Sequence, residues 1–199
     1  MIIPVETLKA HNALVISFHR NEYIFYENDP PQFYYQVIEG SIKMSTFSSD
    51  GQEFIQGIFK TGDSFGEPAI FANFPFPSNA IALEETLIAK LPTDKFMEIL
   101  KNDFGLTKKF TRLLSERLRY KSMVLKEISS YDPDHILMTM LRYIRTNHKV
   151  NGQIKFLIPY TRQQLADMTG LRVETVIRTV KKLAREGKLE ISSHKIFLK

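Results

Sequence analysis

The apolar residues of this 199-residue chain follow two different periods, one after the other. Between residues 23 and 91, apolar and polar positions alternate in short segments separated by turn-forming residues, and an alternation of period two is typical of half-buried strands. The clearest segments are 34–47, 53–59 and 80–91. This part of the chain therefore predicts an antiparallel β-barrel or sandwich.

A helical period replaces the alternation over residues 106–129. Apolar side chains recur there in two stripes, one formed by Phe110, Leu114, Leu118, Leu125 and Ile128 and the other by Leu113, Tyr120 and Val124. Two stripes on one helix indicate that two of its sides are covered, one by the barrel and the other by a partner helix. We therefore predict a parallel homodimer paired through residues 106–130, with a single core helix as the alternative.

A hinge is predicted directly after this helix, at Tyr131-Asp132-Pro133-Asp134. The Asp132 side chain can cap the helix that follows. Proline suits the first position of a helix because the N–H that it lacks has no partner there. We expect the new helix to extend to about residue 147.

Residues 160–185 have the pattern of two helices joined by a tight turn. Thr161 and Gln164 have the T-x-x-Q spacing of a capping box at the start of the first helix. Thr169 and Gly170 end that helix, since glycine adopts a positive φ at little cost where the chain reverses. The segment therefore predicts a helix-turn-helix.

The second helix of this pair has one apolar and one polar face. At about 100° per residue, the apolar face consists of Val173, Val176, Ile177, Val180, Leu183 and Ala184. The opposite face consists of Glu174, Thr175, Arg178, Lys181, Lys182 and Arg185. This division predicts a helix that packs on one side and reads DNA with the other, although an ordinary solvated surface helix shows the same pattern.

A β-hairpin is predicted after Gly187, which ends the second helix. Its strands are residues 189–191 and 196–198. In a winged helix-turn-helix, such a hairpin lies near the DNA backbone while the second helix enters the major groove. Lys188 and Lys195 are therefore candidates for phosphate contacts.

Charge is unevenly distributed along the chain, whose net charge is +5. Residues 1–105 carry 7 Lys and Arg against 14 Asp and Glu, whereas residues 106–130 carry 7 against 2 and residues 131–199 carry 13 against 6. A basic tail on an acidic body is typical of a polyanion-binding module, because phosphate contacts supply most non-specific affinity for DNA. An acidic protein partner is the alternative.

The composition also limits the classes of protein to consider. The chain contains no cysteine, which excludes disulfides, thiolate metal sites and cysteine-ligated iron-sulfur clusters. No run of about 18 apolar residues is present, and the first residues do not resemble a signal peptide. We expect a cytoplasmic protein that does not contact a membrane, with no catalytic residue, metal ligand or cofactor.

The chain resembles the cyclic AMP receptor protein and fumarate-nitrate regulator (Crp-Fnr) family of bacterial transcription factors. The resemblance rests on the order of barrel, long helix, hinge and basic winged helix-turn-helix, and on three motifs. The motifs are Val-Ile-Glu-Gly-Ser-Ile-Lys at 37–43, Gly-Asp-Ser-Phe-Gly-Glu at 62–67, and Val-Glu-Thr at 173–175 with Arg178. Val-Glu-Thr with Arg178 is most similar to the fumarate-nitrate branch.

The resemblance implies an α+β protein with three parts. They are a cyclic-nucleotide-binding-like jelly-roll barrel that senses an effector (1–105), a dimerisation helix (106–130) and a winged helix-turn-helix that binds DNA (131–199). It also implies a homodimer on a near-palindromic operator, and RNA polymerase as a partner. In this family, effector binding changes how the long helices pair and hence the separation of the two DNA-reading helices.

The resemblance assigns roles to residues of the second helix. In the family, a matching glutamate and arginine read one G·C pair in each half-site, the glutamate accepting from cytosine N4 and the arginine donating to guanine O6 and N7. These positions are Glu174 and Arg178 here. Thr175 matches a residue that contacts the backbone, and Arg172 and Lys181 are expected to add phosphate or base contacts.

The expected effector pocket departs from the cyclic AMP branch. Gly66 and Glu67 match the pair that holds phosphate and ribose, but Pro77 and Ser78 stand where that branch has Arg-Ser. Proline cannot make the bidentate phosphate contact of arginine, so the effector is expected not to be cyclic AMP. The apolar mouth is formed by Pro68, Phe71, Phe74, Pro75, Phe76 and Pro77. It favours a less polar effector or a closed pocket.

The sequence offers one further candidate residue for the pocket and two alternative functions. Lys121, on the long helix, lies where the cyclic AMP branch contacts the base, although a solvated lysine is an ordinary feature of a basic helix. Residues 62–66 also fit the G-x-S-x-G pattern of serine hydrolases, with Ser64 as nucleophile, but predicted antiparallel strands surround them. The other alternative is a dimeric ligand sensor whose basic tail binds a protein.

Overall fold

The computed structural model describes residues 1–128, 132–147 and 155–199. They form two compact units, Met1–Arg117 and Leu118–Lys199, which are described separately below. Residues 129–131, which include Tyr131 of the predicted hinge and the end of the predicted dimerisation helix, lie outside the described residues. The boundaries 1–105, 106–130 and 131–199 stay predictions.

The first unit is built on two four-stranded antiparallel sheets. The strands are β1 (Leu14–Phe18), β2 (Tyr23–Phe25), β3 (Phe33–Glu39), β4 (Ser41–Phe47), β5 (Glu53–Lys60), β6 (Ser64–Phe65), β7 (Asn79–Ala82) and β8 (Thr86–Pro92). One sheet has the order β1-β8-β3-β6 and the other β2-β7-β4-β5. This alternation of strands between two sheets is the topology of a jelly roll, as predicted.

Gly40 shows why the motif at 37–43 needs glycine. It joins β3 to β4 with φ +86°, and a Cβ there would lie 2.6 Å from the Glu85 carbonyl oxygen. Such a close approach leaves no room for a side chain, and the positive φ also favours glycine. The turn places β3 and β4 in different sheets, so both sheets depend on this residue.

The first unit also contains helices. They are α1 (Val5–Ala10), α2 (Glu67–Ala72), α3 (Thr93–Asn102) and the first part of α4 (Phe104–Ile128). Tyr34 of β3 stacks on Phe96 of α3 with 4.3 Å between ring centroids, and both contact Phe110 of α4 edge-on. These fully buried rings fix the beginning of α4 on the sheet.

The second unit is a winged helix-turn-helix. After the end of α4 it contains α5 (Pro133–Asn147), β9 (Phe156–Leu157), α6 (Arg162–Thr169), α7 (Val173–Arg185), β10 (Leu189–Ser192) and β11 (Lys195–Leu198). The sheet order is β10-β11-β9. The predicted wing and the start of α5 at Pro133 are confirmed, whereas β9 was not predicted. The fold class is confirmed, and the pairing of two chains through α4 stays a prediction.

In the described part of the chain, no helix is both long enough and apolar enough to cross a membrane.

Candidate DNA-binding surface and effector pocket

The helix-turn-helix begins at the predicted capping box. The Gln164 N–H donates to the Thr161 hydroxyl at 3.1 Å, and the Thr161 N–H donates to Gln164 Oε1 at 2.9 Å. The turn after α6 has Gly170 at φ +70°. Both local predictions are confirmed, and together they set where α6 starts and where the chain turns into α7.

Burial divides α7 as its sequence predicts. Val176, Val180 and Leu183 are fully buried, whereas Glu174 and Arg178 are exposed. The two exposed residues lie one turn apart, about 6 Å along the helix axis. Neither has an ion-pair partner within the part of the chain that the structure describes. Their acceptor and donor groups therefore remain available at the surface.

The other residues predicted to contact DNA differ in exposure and in whether they already form an ion pair. Arg172, Lys181 and Lys195 are exposed, and Thr175 is half-buried. Lys188 is paired with the carboxylate of Glu186 at 2.7 Å, which reduces its availability for a phosphate. The role of each residue in DNA binding stays a prediction.

Lys182 belongs to the polar face of α7 but points to α5. Its ammonium donates to the Asp134 carboxylate, and this hydrogen bond raises the pKa of Lys182. The contact stabilises the packing of α7 on α5 rather than leaving a free cation. Helical periodicity alone assigned Lys182 to the same face as Lys181 and had no information about α5.

The tip of the wing is held by a residue that sequence reasoning missed. Ser193 and His194 form the turn with φ +47° and +63°, values that residues other than glycine adopt only at some cost in free energy. The Arg162 guanidinium donates to the His194 carbonyl at 3.1 Å. Arg162 thus connects the first turn of α6 to the tip of the wing.

The expected effector pocket contains an ion pair between a buried carboxylate and a half-buried guanidinium. Glu67 is fully buried, and its carboxylate accepts from Arg117 of α4 at 2.9 Å. The same carboxylate accepts from the Ser64 hydroxyl, while the second Arg117 nitrogen donates to the Ser64 carbonyl at 2.7 Å. Arg117 also lies 5.0 Å from the ring centroid of Phe59. Arg117 was not among the predicted pocket residues.

This polar cluster affects the tyrosines around it. Burial, followed by the Glu67 carboxylate, raises the pKa of the Tyr34 phenol well above its ordinary value. Burial also raises the pKa of Tyr35 to about 12. Both phenols are therefore neutral at physiological pH, and the charge in this region is carried by Glu67 and Arg117.

The other predicted pocket residues differ in exposure and in hydrogen bonding. Pro77 is exposed, and Ser78 is buried with a hydroxyl that has no hydrogen-bond partner among the described residues. Gly66 is buried with φ +82°, and a Cβ there would lie 2.9 Å from Cε1 of Phe76. Lys121 is exposed and belongs to the other compact unit, so its part in the pocket stays a prediction.

Comparison with known families identifies both halves of the chain. Residues 15–103 match the cyclic nucleotide-binding domain, and residues 135–199 match the Crp-like helix-turn-helix domain. The chain belongs to the Crp-Fnr family. It is therefore a transcription regulator with a sensor-type domain and a DNA-binding domain, as the resemblance implied.

Curated Crp-Fnr relatives are distant but extend over most of the chain. A "CRP-like cAMP-activated global transcriptional regulator" of Mycobacterium tuberculosis is 23% identical over 185 residues, which cover 92% of this chain and 83% of that protein. The "Transcriptional activator protein anr" of Pseudomonas aeruginosa is 22% identical over 181 residues, covering 90% and 74%.

Solved Crp-Fnr structures share the fold at similarly low identity. FixK2 of Bradyrhizobium japonicum has a TM-score of 0.77 at 22% identity, covering 94% of this chain and 92% of FixK2. The regulator CLP of Xanthomonas campestris, described as responsive to c-di-GMP, has a TM-score of 0.75 at 20% identity, covering 98% and 97%. At such identity the likeness concerns the fold and says nothing about the effector of this chain.

Proposed function

We propose that two copies of this chain bind a near-palindromic operator, each inserting α7 into the major groove. The observation that carries this proposal is the exposed pair Glu174 and Arg178, one turn apart on a helix whose other face is buried. A carboxylate and a guanidinium in this arrangement match cytosine N4 and guanine O6 and N7 of one base pair. Thr175, Arg172, Lys181 and Lys195 then contact the backbone around that pair.

The two copies pair through α4. Leu118 and Leu125 are seven residues apart on this helix and are 67% and 72% exposed. An apolar residue every seven positions forms the seam of a coiled coil, and a second α4 covers both leucines. Because a two-fold axis then relates the two α7 helices, the operator has matching half-sites about one helical turn apart.

The regulator acts in the cytoplasm and contacts RNA polymerase at its promoters. Cyclic AMP does not control it, because Pro77 supplies neither a charge nor an N–H at the position where the cyclic AMP branch contacts the phosphate. Curated relatives and solved neighbours include proteins described as activated by cAMP and as responsive to c-di-GMP, which supports a sensor domain whose ligand varies within one fold.

Catalysis is not part of this proposal. The hydroxyl of Ser64, the residue that fits the hydrolase motif, is fully buried and donates to the Glu67 carboxylate. A nucleophile needs a neighbouring base and access to substrate. Ser64 has a carboxylate partner, but its full burial keeps the hydroxyl from reaching a substrate carbonyl.

Selection of DNA from a random duplex pool tests the proposal. We expect the full-length protein to enrich a two-fold symmetric sequence with a G·C pair at the same place in each half-site, and footprinting to protect both half-sites equally. The double variant E174A/R178A is the control and should enrich no such sequence. An enriched site without symmetry contradicts the paired arrangement. A protein that enriches no DNA but captures an acidic protein supports the alternative partner.

A further inference from the structure

The interior of the jelly roll is filled by aromatic rings of the chain itself. Phe76 is 1% exposed and stacks on Phe25 with 3.8 Å between ring centroids and an interplanar angle of 15°. Tyr35 and Phe65 complete the group, since both rings lie within 6 Å of the Phe25 centroid. A stack of this kind is well packed and excludes water.

Phe76 lies directly against the backbone of Gly66. The Cε1 atom of its ring is 2.9 Å from the place where a Cβ of Gly66 would be, closer than such an atom could approach. Glycine at position 66 therefore leaves room for the Phe76 ring. Gly66 and Glu67 are also the residues that match the ligand-holding pair of the cyclic AMP branch. The ring thus covers the surface that a ligand would need.

The backbone of Phe76 is fixed from both directions. Its N–H donates to the Asp29 carbonyl at 2.9 Å, and its carbonyl accepts from the Asn28 N–H at 2.8 Å. Pro75 and Pro77 flank it and restrict φ on each side. These contacts fix the position of the ring in the interior.

The Glu67 carboxylate, the polar group that could bind a ligand, already has hydrogen-bond partners within the domain. Glu67 accepts from Arg117 and from Ser64, so its carboxylate is neutralised within the domain. Ser78 offers a single buried hydroxyl without a partner in the described residues, and one hydroxyl cannot compensate the charge of a phosphate. A cyclic nucleotide would have to displace the ring and break the ion pair.

We propose that the Phe76 ring takes the place of the effector in this domain and that the regulator binds its operator with no small molecule bound. Phe76 is then the residue that determines specificity, because it excludes nucleotides from the surface of Gly66. The part of the inference that concerns DNA rests on the proposed function. The part that concerns the filled pocket does not.

Thermal unfolding without DNA tests the filled pocket. We expect cAMP, cGMP and c-di-GMP at millimolar concentration to leave the Tm of the wild-type protein unchanged. F76A should have a lower Tm that benzene raises, because a dry cavity left by an aromatic ring binds benzene and a ligand of the folded state stabilises it. F74A, in the same segment but at an exposed position, is the matched control and should not respond to benzene.

Two results of the thermal unfolding experiment overturn the proposal. One is a rise in the wild-type Tm with any of the three nucleotides. The other is an equal effect of benzene on F76A, F74A and the wild type. Should F76A not fold, F76L keeps an apolar side chain in the interior and is expected to fold with a lower Tm than the wild type, because leucine fills only part of the space of the ring. An F76L variant with the Tm of the wild type contradicts the filled pocket.

Operator affinity tests the second part. Wild-type protein that has been unfolded in guanidinium, dialysed and refolded should bind the selected operator as tightly as protein purified natively. F76A should bind it about tenfold more weakly, because the fraction of protein in the binding-competent state falls, and benzene should restore the affinity. A tenfold loss in refolded wild type that native small-molecule extract reverses overturns the inference. If no operator is found for any variant, the proposed function fails, while the thermal arm still decides whether the pocket is filled.

Discussion

At the scale of single residues, Arg178 combines three properties that base reading requires. It is exposed, it lies on the face of α7 opposite to the buried valines, and no carboxylate of the described residues neutralises it. A guanidinium that is already paired would have to lose its partner before it met guanine. Arg178 has no such cost, so its full hydrogen-bonding capacity is available for recognition.

We predict that R178A weakens binding to the selected operator by about 1 to 3 kcal/mol and reduces discrimination at the G·C pair. R178K should keep the charge but still lose discrimination, because an ammonium cannot donate in a bidentate fork. Affinities for the operator and for an operator with A·T at that pair give both quantities. R185A, at the exposed end of α7, is the control and should weaken both duplexes equally. Unchanged discrimination in R178A contradicts the assignment.

Arg117 shows what residue patterns do not predict. Its partner Glu67 is 50 positions away in the sequence. In the sequence, Arg117 looks like one of several cations on a basic helix, and Glu67 looks like part of a nucleotide-binding motif. Only the packing of α4 on the jelly roll brings them together. By contrast, Thr161 and Gln164 were predictable because a capping box involves four consecutive residues and no tertiary contact.

At the scale of secondary-structure elements, α4 has exposed leucines that no described residue covers. Leu118 and Leu125 lie beyond Phe110, which packs in the core of the first unit. Large apolar side chains spaced by seven on an exposed helix are typical of a protein interface. The side chains of Val124 and Ile128, which complete the predicted stripes, lie outside the described residues.

The double variant L118E/L125E should therefore be monomeric. Like charges at neighbouring seam positions repel, and the apolar contact area is lost. Sedimentation equilibrium should give the chain mass of 23.1 kDa for this variant and twice that mass for the wild type. R119E, which places the same side chain at an exposed position between the leucines in sequence, is the control and should remain dimeric. A monomeric wild type at micromolar concentration contradicts pairing through α4.

The length of an element explains part of what its sequence revealed. The long α4 and the two-faced α7 were predicted because their period repeats over several turns. The short α1, α2 and β9 were not, since six or fewer residues contain too little repetition to separate a helix from a loop. The ten-residue α3 was not predicted either, although it is longer than the predicted α6. The jelly-roll topology was recoverable from the family resemblance, whereas strand alternation alone left barrel and sandwich undecided.

At the scale of the whole molecule, the charges of the chain are separated along its length. Residues 1–105 have twice as many acidic as basic residues, 14 against 7, whereas residues 131–199 have 13 basic against 6 acidic. DNA attracts the basic part and repels the acidic part. This separation favours encounters in which the helix-turn-helix meets the duplex first.

We predict a steep loss of operator affinity between 50 and 200 mM salt, as expected for about six or more phosphate contacts by a dimer. K181Q and K195Q should each reduce the slope of log K against log salt by about 2, because every phosphate contact contributes about 0.9 and the dimer has two copies. K101Q, at an exposed position in the acidic part, should leave the slope unchanged. Equal slopes for all three variants contradict the proposed phosphate contacts.

Phe76 also bears on how a cell controls this regulator. A metabolite reports a changing concentration, but a ring that belongs to the chain is present in every copy at a constant effective concentration. If the ring replaces the effector, occupancy of the operator at a given salt concentration is set by the number of copies of the protein, as mass action requires. Operator occupancy is then controlled by synthesis and proteolysis of the regulator rather than by the concentration of a ligand. Transcription therefore responds only as fast as the protein is made and degraded.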